Sequence, residues 1–412
     1  MDFNFRHLEA ISEKMDHPAS LEEALRVNFK KSAELEEGID VRIYNHMLNK
    51  SQMAKHFGWS ISKFNDQLAL FNKLNPQQPV VHYLQGKVKQ LFSRFDLDRL
   101  KRHFDTDCYS DHHKPTSCLI SSHKGGTGKS TSTLTLAVGL ALDDKRYPKV
   151  CIIDTDPQGT CGAAITHIAE DEQFITIVDL ILRNHEDNIV SQLLGRGFSL
   201  EQIIESAAFS THLPNLSTFL SFPTDDRFTD LFWSLKGQER VDLLCDFKLN
   251  ILPIIKSMYD IILIDSPPQD SPIIWMMYEA VDMVLIPCSP KNYDYISTKN
   301  FLKNISNRID KLPSQGKNIQ WSKVAIVNFN SDSKHEVKYS DLIRKACGEH
   351  VLNADLAHSQ AFLEASETGR SVLDLKKNQL KKTKGTDYDN AIASTTAFMR
   401  SFIIELHKVS SK

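Results

Sequence analysis

Ser121-Ser122-His123-Lys124-Gly125-Gly126-Thr127-Gly128-Lys129-Ser130-Thr131 is the stretch on which the reading of the fold turns. A short apolar run, Cys118-Leu119-Ile120, leads into it, and Leu134 to Leu142 follows as a buried helix. The glycines therefore lie where a strand ends and a helix begins. Glycine lets the backbone bend tightly there, so that several N–H groups converge on one point and the helix N-terminus adds partial positive charge. Such a loop wraps phosphates. Lys129 supplies a full charge for the β- and γ-phosphates of a nucleotide, and the Ser130 hydroxyl is placed to bind Mg²⁺. A glycine-rich turn in a surface loop is the plainer alternative, and the flanking strand and helix weigh against it.

The strict phosphate-loop pattern asks for glycine five residues before Gly128, where this chain has His123. In its place runs Lys124-Gly-Gly-Thr-Gly-Lys129-Ser-Thr, with a second lysine ahead of the glycines. This resembles the deviant Walker A motif of the family of MinD, ParA and the nitrogenase iron protein. The resemblance implies that Gly125, Gly126, Thr127, Gly128, Lys129, Ser130 and Thr131 bind ATP. It also implies that Lys124 reaches across a nucleotide-sandwich dimer to the partner's ATP.

Length and composition narrow the setting. A chain of 412 residues is long for one domain, so two are expected. It is 41% hydrophobic and 25% charged, ordinary for a globular protein in water. No apolar run reaches 18 residues and the N-terminus lacks a signal-peptide core, so a cytoplasmic protein is expected. Seven cysteines without C-x-x-C pairs argue for reduced thiols. At a net charge of −3, any nucleic-acid binding has to come from local basic patches.

Residues 1 to about 45 read as helical, either packed on their own domain or serving as a dimerising arm, with Pro18 dividing two helices and Ser20 as an N-cap. Residues 46–110 read as a helix-turn-helix domain. In Ser51 to Leu68, Ala54 is small where two helices cross, Gly58 allows the turn, and Met53, Phe57, Phe64 and Leu68 form the apolar set. The second helix, starting near Ser60, would offer Ser62, Lys63, Asn65 and Gln67 to a major groove. His103 to Pro115 is polar and rich in histidine; it reads as a solvated linker and domain boundary, with a metal site the alternative.

From 117 to 412 strands alternate with helices, so the fold class expected is α/β: a doubly wound, mostly parallel sheet, with a smaller all-α domain ahead of it. Val150 to Ile153 ends in Asp154-Thr-Asp156-Pro-Gln-Gly. Tyr259 to Ile264 ends in Asp265-Ser-Pro-Pro, the Walker B pattern of an apolar run delivering one acid to a strand tip near loop-bound Mg²⁺. Residues 175–182 and 238–247 read as helices, 215–222 as a strand, and Val351 to Leu356 as a short last strand. Resemblance to the ParA family implies that Asp156 orients or activates the attacking water and that Asp154 is an acid lying behind the Mg²⁺ ligands. It also implies that Asn328, at the end of Val324 to Val327, touches adenine.

Five lysines fall between Lys376 and Lys384. Such a run is usually a solvated loop. In ParA relatives this region binds DNA without sequence preference, which implies contacts from Arg370, Lys376, Lys377, Lys381 and Lys382. The final helix, Asp387 to about Lys408, lacks a strongly basic face, so it is expected to pack on its domain and not to insert in membrane as MinD's does. The whole chain resembles the large, type Ia ParA partition ATPases of bacterial plasmids and chromosomes. That implies ATP and Mg²⁺, a homodimer, with higher-order filaments on DNA left open, a ParB-type centromere-binding partner, operator binding, and a place on the nucleoid. Three other readings stay open: a transcription repressor regulated by nucleotide, a MinD-like membrane ATPase, and an iron-protein-like reductase using Cys161 and Cys288.

Overall fold

The computed structural model describes residues 26–30, 36–85, 89–104, 107–144, 146–166, 174–185 and 187–412. The helices expected before residue 26, with Pro18 and Ser20, lie outside the described residues. The chain divides into two units, Met1–Leu97 and Asp98–Lys412, and the division falls inside the helix Arg94–His103.

The first unit carries strands as well as helices. Strands β1 (Arg26–Lys30) and β2 (Glu36–Asp40) pair antiparallel, where helix was expected. A three-stranded antiparallel sheet, in the order β3 (Leu48–Asn49), β5 (Lys89–Phe92), β4 (Tyr83–Gln85), replaces the all-α domain expected. The helix pair is present. Lys50–His56 and Ile61–Leu74 are joined through Gly58, whose φ of +64° suits glycine. Ser60 caps the second helix by accepting from the Lys63 N–H at 3.2 Å. Met53, Ala54 and Phe64 are buried, and Phe64 meets Phe92 of β5 edge-on at 5.7 Å.

The second unit is built on a seven-stranded sheet. Its strands are β6 (Thr116–Ile120), β7 (Val150–Asp154), β8 (Phe209–Ser210), β9 (Leu216–Phe219), β10 (Ile261–Asp265), β11 (Met283–Cys288) and β12 (Trp321–Ile326). They lie in the order β12-β11-β6-β10-β7-β9-β8, parallel except for the edge strand β8. Alternate residues feed opposite faces. Leu119, Ile153, Ile262 and Ile264 join one apolar cluster, while Cys118, Ile120, Val150, Ile152 and Leu263 join the other. Helices cover both, which is why the central strands read as unbroken apolar runs. Each large side chain buried this way contributes ~1.5–3 kcal/mol.

The last helix, Gly385–Ser410, packs on the sheet as expected. Phe398, Phe402 and Leu406 are fully buried, and Phe402 meets Trp321 edge-on at 6.3 Å. Its C-terminal end holds the stretch read as a linker. Lys114 N–H donates to the Ser410 carbonyl at 2.6 Å, Tyr109 and His113 are buried, and His113 stacks on His407 at 4.2 Å. Val351 to Leu356, expected as a last strand, makes one bridge to β12, Val351 to Val324, and two backbone hydrogen bonds, Leu352 N–H to the Val324 carbonyl and Leu356 N–H to the Ile326 carbonyl, without forming a strand of its own.

Candidate functional site

The site forms where β6, β10 and β7 end side by side. Asp265 is the last residue of β10, in register with Ile120 on one neighbour and Asp154 on the other. The glycine loop leaves β6 at that level, and the helix Lys129–Ala141 starts one residue beyond Gly128. Gly126 and Gly128 have φ of +73° and +82°. A Cβ on Gly128 would stand 3.2 Å from Val327 Cγ2, so this position takes glycine on both counts. His123, at the position of the missing glycine, packs its ring against Phe301 at 4.6 Å.

The expected residues come together here. The Ser130 hydroxyl donates to Asp265 Oδ2 at 2.7 Å, and Thr133, one turn along the same helix, donates to Asp265 Oδ1 at 2.9 Å. Thr155 donates to the Asp265 carbonyl at 2.7 Å. Asp154 accepts from the N–H groups of Asp156, Cys161 and Gly162 at 3.1, 3.1 and 2.9 Å. Lys129, 7% exposed, turns its ammonium back onto the Lys124 carbonyl at 3.1 Å. Burial lowers the pKa of that ammonium, against the opposing pull of Asp265 and Asp156. Burial also pushes both the Asp154 and Asp265 carboxyls up, and for Asp154 the charge of Asp265 adds to it.

Two buried carboxylates next to a hydroxyl form an all-oxygen donor set with excess negative charge, which fits Mg²⁺. Asp156 is half-buried, accepts from the Gln158 N–H at 3.1 Å, and borders a cavity of ≈ 470 Å³ also lined by Pro267, Asp270, Asp225 and Trp233.

Thr133 and Thr155 were not among the expected residues. Thr133 was within reach, since i and i+3 share a helix face; Thr155 acts through the pairing of two strands far apart in sequence. Lys124 is ion-paired with Asp294 of its own chain, at the first turn of the helix Asn292–Ile309. Asn328 follows β12 with φ of +54°, and its Oδ1 lies 2.6 Å from His358 Nδ1.

The remaining candidates lie elsewhere. In the first unit, Ser62, Lys63 and Asn65 are exposed and Gln67 is half-buried. In the second unit, Lys376, Lys377, Lys381 and Lys382 are exposed and Arg370 is half-buried. Lys377 pairs with Asp389 at 2.5 Å and Lys382 with Glu367 at 2.8 Å, while Glu364 accepts the backbone N–H groups of Lys381, Lys382 and Thr383. Cys161 and Cys288 are buried thiols on separate elements, with Cys288 Sγ accepting from Thr298 at 3.2 Å. Among the described residues no helix is long and apolar enough to cross a membrane.

Comparison with known proteins agrees with this geometry. Residues 117–318 match the family model described as an AAA domain. A Rhizobium rhizogenes protein named replication protein A is 23% identical over 75% of this chain and 75% of its own length. The Escherichia coli plasmid partition protein A is 22% identical over 62% of this chain and 63% of its own length. The Myxococcus xanthus chromosome partitioning protein ParA is 27% identical over 62% of this chain and 79% of its own length. Among solved structures, a partition protein superposes with a TM-score of 0.58 at 18% identity, covering 90% of this chain and 97% of that one. The ATP complex of Cyanothece McdA superposes with a TM-score of 0.53 at 18% identity, covering 70% and 96%.

Proposed function

We propose that this chain is a ParA-type P-loop ATPase that acts as an ATP-driven DNA partition switch, a reading supported by its likeness to plasmid and chromosome partition proteins. The observation that carries this reading is the joining of Ser130, Thr133 and Asp265 under the loop that holds Lys129, with Asp154 at the tip of the next strand and Asp156 two residues beyond it. Phosphates would lie against the loop from Gly125 to Thr131. Ser130 and Asp265 would hold Mg²⁺, with Asp154 behind them, and the ion would offset charge on the β- and γ-phosphates. Asp156 would orient the attacking water from the rim of its cavity.

Two chains would close face to face, with Lys124 leaving Asp294 to reach the partner's nucleotide. The closed dimer would align basic residues of both copies, Arg370, Lys376, Lys377, Lys381 and Lys382, along one DNA. Phosphate contacts add up, so doubling them turns weak, sequence-independent binding into useful binding. Hydrolysis would open the dimer and release the DNA, a step that a ParB-type centromere-bound partner would stimulate. Cargo would then follow the boundary of nucleoid-bound protein, as dimers or as filaments.

A second reading, repression of its own operon, is favoured by the capped helix Ile61–Leu74, which presents Ser62, Lys63 and Asn65 to solvent. Gln67 would join them at an operator. The two roles are compatible in one molecule, ADP-bound for the operator and ATP-bound for any DNA. The burial of Phe398, Phe402 and Leu406 removes the apolar face that a MinD-like membrane helix would need.

The test is binding to a random-sequence duplex with ATP, ADP or no nucleotide across a salt series, beside Lys124→Gln and Lys129→Gln. Tight, salt-sensitive binding with ATP alone, lost in both variants, supports the switch. Binding that ignores nucleotide, or that appears at one sequence only, refutes it.

A further inference from the structure

We infer that Thr133 is a positioning residue for the metal: its hydroxyl holds the Asp265 carboxylate with Oδ2 toward Ser130, and this alignment sets how tightly Mg²⁺ joins the nucleotide. The inference rests on the reading that Ser130 and Asp265 hold Mg²⁺. It starts from how the two buried acids of the site are held. Asp154 takes three backbone N–H groups, from Asp156 on Oδ1 and from Cys161 and Gly162 on Oδ2. Those donors belong to the main chain, so the fold itself fixes that carboxylate. Asp265 is 0% exposed, and among the described residues no backbone N–H donates to its carboxylate and no ammonium or guanidinium pairs with it. Its two oxygens are held by two hydroxyls of one helix, Ser130 on Oδ2 at 2.7 Å and Thr133 on Oδ1 at 2.9 Å.

A carboxylate turns readily about its last bond, because the torsion next to its planar carbon has no sharp minima. One hydroxyl alone leaves that torsion soft, whereas one on each oxygen fixes it. The two hydroxyls are not equivalent. Ser130 is half-buried, and its oxygen is the one proposed to bind the ion. Thr133 is fully buried, one turn further along the helix Lys129–Ala141. It keeps its hold on Oδ1 while Ser130 is engaged with the ion.

Thr133 Oγ1 also lies 3.0 Å from the Lys129 carbonyl, so one proton has two acceptors within reach. The Lys129 carbonyl already has the Thr133 N–H as its partner in the helix ladder. Oδ1 has no other donor among the described residues, and a hydrogen bond to an ionised carboxylate is stronger than one to a carbonyl. The proton therefore goes to Oδ1. Mg²⁺ demands near-ideal octahedral geometry, so a small tilt of a nearby acid costs it more than it would a larger ion. A threonine that touches no ligand is in this way linked, through Asp265, to how well the ion is held.

The experiment measures dissociation constants of the non-hydrolysable ATP analogue AMPPNP, in Mg²⁺ and in EDTA, on the full-length chain and three variants. Thr133→Val and Thr133→Ala remove the hydroxyl. The alanine does so without setting a methyl against the carboxylate, so it gives the answer where the valine variant does not fold. Thr133→Ser keeps the hydroxyl. The ratio of the two constants is the gain that Mg²⁺ gives. Thr133→Val and Thr133→Ala are expected to lower that gain about tenfold, the order of one hydrogen bond to a charged group, with binding in EDTA unchanged, while Thr133→Ser keeps it. The same gain in all four proteins would overturn the inference and leave Thr133 as a bond within its own helix. Equal weakening in Mg²⁺ and in EDTA would also overturn it, as a brace of the phosphate loop. A loss in Thr133→Ser as large as in Thr133→Ala would overturn it too, as a packing role of the methyl. If AMPPNP binds the unaltered chain with no gain from Mg²⁺, the metal reading of Ser130 and Asp265 fails and takes the inference with it.

Discussion

Substituting Gly128 by alanine tests whether the loop is built as described. At φ of +82°, an L-residue costs ~1–2 kcal/mol relative to glycine. The added Cβ would meet Val327 Cγ2 at 3.2 Å, a few tenths of an ångström inside ordinary contact. Val327 is 1% exposed and β-branched, so it yields little, and overpacking of this kind adds ~1 kcal/mol. The total is ~2–3 kcal/mol. The second unit has about 300 residues, for which the unfolding entropy is on the order of 0.6 kcal/mol/K, so Tm should fall by ~3–5 °C. Gly125→Ala is the control. Gly125 has no positive φ, and a Cβ there meets nothing within 4 Å, so its Tm should stay within ~1 °C. Differential scanning calorimetry with and without Mg·ATP reads both. Gly128→Ala should also lose the rise in Tm that nucleotide gives, since ligand stabilises only the form it binds. Equal Tm for Gly128→Ala and the unaltered chain, or an equal drop for Gly125→Ala, would refute the account of the loop.

Three further outcomes are expected. Phe402→Ala empties a fully buried site beside Trp321 and should cost ~3–5 kcal/mol, read as a lower Tm, while the unaltered chain with ATP should stay off liposomes in co-sedimentation. Burial together with the positive groups His407, Arg146, His112 and Lys412 pushes His113 down to about 4. The unfolded chain therefore binds more protons between pH 4 and 6.5. The His113 contribution is fully present above that window and is lost as pH falls through it, and His113→Phe should flatten that part of a stability-against-pH curve. Glu367→Gln frees Lys382 from its ion pair, so the slope of log affinity for DNA against log salt should steepen by up to about 1 with ATP bound.

The second unit was largely legible because its signals are local. The central buried strands are unbroken apolar runs, and the candidate acids Asp154 and Asp265 each end one, so both are legible without knowledge of the pairing. The pairing itself was not legible. That β10 inserts between β6 and β7, putting Asp265 level with both Ile120 and Asp154, is a long-range fact that no local pattern carries. Thr155 was missed for the same reason: its partner is a carbonyl 110 residues away. Residues 103–115 misled in the opposite way. They are polar, but Tyr109 and His113 are buried by the end of a helix almost 300 residues later, so composition suggested solvent where tertiary contact supplies shelter. The hairpin of β1 and β2 was read as helix because apolar spacing alone separates a short strand from a short helix poorly.

The departure of the loop from the strict pattern follows from the same packing. A glycine at position 123 would leave empty the place where the His123 ring meets Phe301 of the helix Asn292–Ile309. That helix also supplies Asp294, which holds Lys124. The two residues that distinguish this loop from the strict form are therefore both fastened to one neighbouring helix. Lys129 and Ser130, by contrast, are fastened within the loop and to β10. The lysine proposed to act on the partner's nucleotide and the lysine proposed to act on its own thus rest on different elements. Because the Lys129 ammonium rests on the Lys124 carbonyl, it is the Lys124 side chain alone, and not its backbone, that can follow the helix Asn292–Ile309 while Lys129 stays in place.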